Sequence, residues 1–134
     1  MEGNYIDTSS LDVYVAITHR RKNGTAHWML MLAHPGSDRC TWYHVVGGPS
    51  RNTAYKCKIQ ANKKLDSFGI DTRHWVSRVP ASEINKVNST VLSTPEQGCQ
   101  QFVTEIFDGL ERKVLVPAGT GLKWKSKIEP SPYV

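Results

Sequence analysis

The sequence predicts a single α+β domain in which an antiparallel sheet of about five strands packs against C-terminal helices. Two patterns carry that expectation. Up to about residue 80, apolar side chains recur at every second position in short runs divided by turn signals, the period of a pleated strand. From Ala81 onward they recur three and four apart, the period of an amphipathic helix. A length of 134 residues suits one domain with one core. The expected organisation is an N-terminal arm over 1–10, one α+β unit over 11–117 and a surface tail over 118–134.

The elements follow in chain order. Residues 1–10 are polar and aperiodic, hence the arm. Asp12 to Thr18 alternates, with Val13, Val15 and Ile17 on one face and Tyr14 and Ala16 on the other. Arg20-Arg21-Lys22-Asn23-Gly24 turns the chain through its Asn-Gly pair. His27 to Ala33 is apolar on both faces, Met29 and Met31 lying beside His27 with Trp28, Leu30 and Leu32 opposite, so this strand is covered on both sides. Pro35-Gly36-Ser37-Asp38 leads into a third strand, Cys40 to Val46, closed by Gly47-Gly48-Pro49. Thr53 to Gln60 alternates weakly and reads as a half-exposed fourth strand; Arg73 to Val79 is the fifth. Ile84, Val87 and Val91 mark a first helix. Thr94-Pro95-Glu96-Gln97 has the form of a helix opening, with Thr94 as cap, Pro95 first and Gln97 three residues after the cap. That helix is expected to run to about Val114 on a stripe of Phe102, Val103, Ile106, Phe107 and Leu110. After Pro117 the chain is rich in Gly, Lys and Pro.

No apolar run approaches the ~20 residues of a membrane span. The first residues, Met1-Glu2-Gly3-Asn4-Tyr5, lack the basic-then-apolar pattern of a secretory signal, so the expected location is cytoplasmic. Three cysteines in that setting argue against a disulfide framework. The net charge is +5, but the basic residues fall in short scattered groups, such as Lys56 with Lys58 and Lys63-Lys64, rather than in one dense run. That pattern fits solvated edges better than a nucleic-acid surface.

Three residues carry chemistry: His27, His44 and Cys99. A two-residue loop at Gly36-Ser37 fixes the register of the second and third strands, placing Met29 opposite His44 and His27 opposite Val46. The two histidines then share a face, diagonal to each other. A one-residue slip would separate them. Cys99 falls near the start of the long helix, three residues ahead of its apolar stripe. A helix laid on the histidine face would bring the thiol over both imidazoles. A thiol at a helix start beside an imidazole is the minimum of a cysteine nucleophile. Zinc accepts the same three ligands, but no Cys-x-x-Cys or His-x-x-x-His pair is present, so neither a metal nor another cofactor is expected. His19, His34, His74, Cys40 and Cys57 read as structural. Gln97 and Gln101 are candidate oxyanion donors; Trp28 and Trp42 complete the candidate substrate-binding set, although core packing is the commoner use of such aromatics.

The segments His27-Trp28 to Tyr43-His44-Val45 and Gly98-Cys99-Gln100-Gln101-Phe102-Val103 resemble the circularly permuted papain-like hydrolases. That group includes the lecithin–retinol acyltransferase and permuted NlpC-type enzymes. The first segment is similar to the family's His-Trp strand followed by a second histidine, and the second to its Asn-Cys-Glu-His-Phe-Val segment. Gly98 stands in place of the asparagine and Gln100-Gln101 in place of Glu-His. The order His, His, Cys is the permuted one. The resemblance implies a permuted papain-like fold, with Cys99 as nucleophile, His27 as base and His44 as the residue that orients His27. The function it implies is a hydrolase, or an acyl or peptidyl transferase, acting on an amide, ester or thioester of a small-molecule or peptide-like substrate through an acyl-enzyme. The alternative is a binding module on the same scaffold without chemistry; a basic nucleic-acid binder using Lys56, Lys58, Lys63 and Lys64 is the weaker rival.

Overall fold

The computed structural model of the chain describes residues 5–20 and 24–130. The first four residues of the arm, most of the Asn23-Gly24 turn and the last four residues of the tail therefore lie outside the described residues. The domain is α+β: strands β1 (Ser10–Thr18), β2 (Trp28–Ala33), β3 (Arg39–Gly48), β4 (Thr53–Lys64) and β5 (Ile70–Pro80), then helices α1 (Ile84–Ser93), α2 (Cys99–Arg112) and α3 (Thr120–Lys125). The strands form one antiparallel sheet in the order β4-β3-β2-β1-β5.

Alternation along the strands decides what each face buries. Leu11, Val13, Val15, Trp28, Leu30, Leu32, Tyr43 and Val45 form one face, and the apolar stripe of α2 (Phe102, Val103, Ile106, Phe107, Leu110) packs on it with Val87 and Val91 of α1. The side chains between them make a second cluster on the opposite face: Ala16, Met29, Met31, Ala33 and Cys40. No described helix belongs to this second cluster; Tyr14, Trp42, Leu65 and Ile70 pack against it. β4 and β5 are the two edges, joined by residues 65–69 alone, with Leu65 and Ile70 at either end of that connection. β2 is buried along its whole length, as its two-sided apolar sequence requires.

The β2–β3 connection has the expected register over Leu30–Tyr43, Met31–Trp42 and Leu32–Thr41, but the ladder stops there, so the expected pairs Met29–His44 and His27–Val46 do not belong to it. The turn itself sits one residue earlier than expected. Ser37 N–H donates to His34 O (3.0 Å), so Pro35-Gly36 is the central pair, and Gly36 takes φ 88°. A Cβ on Gly36 would lie 2.1 Å from the Tyr5 carbonyl oxygen, so the described part of the arm runs against this turn.

Two sequence expectations are corrected. Thr94 does not cap α2. Its hydroxyl donates to Thr90 O (2.7 Å) and its N–H to Val91 O, closing α1. Pro95–Gly98 is then non-helical, and α2 begins at Cys99 with Gly98 as its cap. The segment after Pro117 is not a plain surface tail either. Gly119, at φ 90°, starts α3, whose Trp124 is buried edge-on against Trp28 (ring centroids 5.6 Å, 83°). Trp124, with Thr120 and Gly121 also buried, anchors a stretch whose composition otherwise reads as solvent-facing. No helix among the described residues is long and apolar enough to cross a membrane.

Candidate active site

The site lies where β2 and β3 part. Their ladder ends at Leu30–Tyr43, although β3 continues to Gly48. The space so opened joins the N-terminus of α2 in a cavity of 1080 Å³, lined by His27, His44, Tyr55, Gly98, Cys99 and Glu129 among others. A smaller cleft of 460 Å³, near His34 and Arg39, contains none of these residues.

His27 is the residue immediately before β2, and His44 lies within β3. Their rings meet: His27 Nε2 and His44 Nδ1 are 2.8 Å apart, with the ring planes at 68°. His44 is on the face of Trp42, whose ring it meets edge-on at 6.1 Å, and its Nε2 is 2.8 Å from Gln60 Oε1 on β4. His44 is buried, and that burial lowers its pKa from the ordinary 6.5; the charges of Lys63 and Lys58 push the same way, against the Gln60 hydrogen bond. The imidazole is therefore held towards its neutral form.

Cys99 is the first residue of α2. The helix's own ladder opens with Phe102 N–H donating to Gly98 O (2.8 Å), so the amides of the first turn point out of the helix end. The Cys99 thiol is directed at the carbonyl oxygen of Ala26, the residue before His27, with Sγ to O at 3.8 Å. The route by which thiol and imidazoles come to line one cavity differs from the expected one. α2 does not lie on the histidine face. It packs on the Trp28/Leu30/Tyr43/Val45 face, and Cys99 belongs to that side, whereas His44 belongs to the other. The three residues share one cavity because the sheet is open between β2 and β3 at this end.

The remaining expected residues divide. Gln97 and Gln101 line the cavity. Gln97 spends its amide on Pro95 O (2.9 Å) and on the Glu105 carboxylate, which removes it as a ready oxyanion donor. Gln101 folds back over Gly98, where a Cβ would come within 2.5 Å of its Oε1. Trp28 and Trp42 do not line the cavity: Trp28 is core, 2% exposed, and Trp42 packs against the second cluster beneath Lys63, whose Nζ is 5.0 Å from its ring centre.

Three contributors were not expected from sequence. Gln60 holds His44. Its only signal is the even-numbered spacing Lys56, Lys58, Gln60, which reaches the histidine face once β3 and β4 pair His44 with Lys58. Gln100, 3% exposed, donates from Nε2 to Ala26 O and to Glu129 Oε1, both at 3.0 Å. Glu129 Oε1 also accepts from Ala26 N–H (3.0 Å), Glu129 N–H donates to Gln100 Oε1 (2.7 Å), and the carboxylate pairs with Arg20. Burial tends to raise the Glu129 pKa, but the bonds from Ala26, Gln100 and Arg20 outweigh it and leave the carboxyl below its ordinary value. This clasp ties the residue before His27 to the residue after Cys99.

Cys40, Cys57 and Cys99 are all free thiols. Burial raises the pKa of Cys40 and of Cys57, with Glu96 adding to the rise at Cys57. Cys40 lies against Met31 in the second cluster, and His34 Nδ1 is within 2.8 Å of Ser10 O. Among the described residues no three His, Cys, Asp or Glu side chains are arranged to hold a metal. Comparison with protein-family models, with curated proteins and with solved structures gives no match.

Proposed function

We propose that the chain is a cysteine-dependent hydrolase or acyl transferase acting on an amide, ester or thioester of a small-molecule or peptide-like substrate. The observation that carries the reading is the His27–His44 pair, 2.8 Å apart, in one cavity with a cysteine at a helix N-terminus. Cys99 Sγ attacks the acyl carbon while its proton passes to His27. The tetrahedral oxyanion is held by main-chain amides of the first turn of α2, each such donor worth ~3 kcal/mol. The bond to the leaving group then breaks, His27 returns the proton to that group, and a thioester remains on Cys99. Water, an amine or an alcohol, deprotonated by His27, attacks the thioester and releases the thiol. His44 orients the His27 ring throughout. A reducing, cytoplasmic setting keeps such a thiol available.

An activated acetyl ester such as p-nitrophenyl acetate is the direct probe. Intact-mass and peptide mapping should find one acetyl group, on Cys99, in the wild-type protein quenched in acid. His27→Ala should lose it, and Cys99→Ala should lose it with an unchanged melting temperature. Acetylation spread equally over Cys40, Cys57 and Cys99, or a Cys99 as slow as Cys57 towards iodoacetamide at about pH 6, would refute the nucleophile and leave the cavity as a binding site.

A further inference from the structure

We propose that Gln60 is a positioning residue that decides, through His44, which nitrogen of His27 is available as the base; the inference rests on the reading just given. The contacts run in series: Gln60 Oε1 to His44 Nε2 at 2.8 Å, then His44 Nδ1 to His27 Nε2 at 2.8 Å. An amide oxygen only accepts, so His44 Nε2 carries the hydrogen and donates it. A neutral imidazole has one N–H, so His44 Nδ1 is an acceptor and His27 Nε2 must be the donor to it. Neutral His27 then presents the lone pair of Nδ1 to an incoming proton. When that proton arrives, His27 carries N–H on both nitrogens and His44 Nδ1 still accepts from one of them, which stabilises the ion pair with the thiolate.

Reversing the first link reverses the rest. An NH₂ group in place of the Gln60 oxygen would make His44 Nε2 the acceptor and Nδ1 the donor. His27 Nε2 would have to accept, and its proton would sit on Nδ1, where it blocks transfer from the thiol. The series also needs His44 uncharged. Burial and the cations of Lys58 and Lys63 on β4 favour that form, with His27 and Trp42 as the other rings facing it. Gln60 is half-buried on β4, the strand paired with β3, so its side chain is placed by the sheet rather than by a loop.

The test is nuclear magnetic resonance of ring-¹⁵N-histidine protein above neutral pH, where two-bond ¹H–¹⁵N correlations distinguish the tautomers, with the iodoacetamide alkylation rate of Cys99 measured alongside. Wild-type protein should carry the hydrogen on Nε2 of both His44 and His27. Gln60→Glu keeps an acceptor and should keep both tautomers. Gln60→Leu should give a tautomer mixture at His44 and slow Cys99 alkylation by about tenfold or more, as losing an orienting group does elsewhere. A hydrogen on Nδ1 of His44 in the wild type, which needs no variant to fold, overturns the proposal. So does a Gln60→Leu protein with unaltered tautomers and alkylation rate. If the tautomers are as stated but wild-type Cys99 reacts no faster than Cys57, the nucleophile reading fails and the role of Gln60 in setting the rings stands.

Discussion

Replacing Glu129 by Ala tests whether the C-terminal segment holds the site together. The substitution removes the acceptor for Ala26 N–H and for one Gln100 Nε2 hydrogen, both at 3.0 Å, together with the Arg20 ion pair. Ala26 and Gln100 are 6% and 3% exposed, so their donors are poorly placed to find water instead. A hydrogen bond to a charged group is worth about 1.5 to 3 kcal/mol. The Glu129 side chain keeps 22% of its exposure, and water entering the vacated space holds each loss to the lower bound. The Arg20 pair, itself 63% exposed, adds at most about 0.5 kcal/mol. The expected loss is about 3 kcal/mol, or roughly 10 °C in melting temperature for a domain of this size. Glu129→Gln keeps one acceptor and should lose less than half of that. The contribution also has a pH signature. The folded carboxyl is depressed below 4.5, so the stabilisation is complete above 4.5 and is lost as pH falls through the lowered value. Circular dichroism melts of the three proteins, at neutral pH and at about pH 3, measure both effects. A Glu129→Ala protein that melts within about 2 °C of wild type at neutral pH would show that the clasp carries no load.

Two further outcomes follow from the packing and the charges. Trp124→Ala empties a site 4% exposed and removes the edge-on contact with Trp28, so a loss of about 3 to 4 kcal/mol is expected in chemical denaturation, and one below about 1 kcal/mol would place α3 outside the core. The His44 ring should titrate by ¹⁵N resonance with a midpoint below 6.5; the folded protein then binds fewer protons than the unfolded chain in the window just below 6.5, so stability rises with pH across it, and a midpoint at or above 6.5 would contradict the burial argument.

The strands were legible because alternation is a local signal. Val13, Val15 and Ile17 need only a covering layer on one side, and Met29 and Met31 need one on the other, whatever that layer is. The β2–β3 register over Leu30 to Leu32 matches the expectation although the expected turn did not form; the alternation of apolar faces on both strands, which a one-residue slip would invert, is what specifies it. The opening of α2 was misread because Thr94-Pro95-Glu96-Gln97 offers a capping pattern. Thr90 O competes for the Thr94 hydroxyl and wins, since α1 ends there with carbonyls to satisfy. The tail was misread because one tryptophan cannot outweigh its Gly, Lys and Pro in composition, whereas in space it fills a hole beside Trp28.

The amino-acid order alone determined the five strands, the first two helices and the pairing of Leu30 to Leu32 with Thr41 to Tyr43. Only the tertiary structure decided that Cys99 comes to the shared cavity from the other face, where β2 and β3 separate. It also set Gln60 against His44 and brought Glu129 into the cavity lining, where it touches Ala26 across 103 residues of chain. The physical reason is range. Periodicity and turn chemistry act between neighbours, whereas the divergence of two strands and the seating of a helix end depend on how all the apolar faces fit together at once.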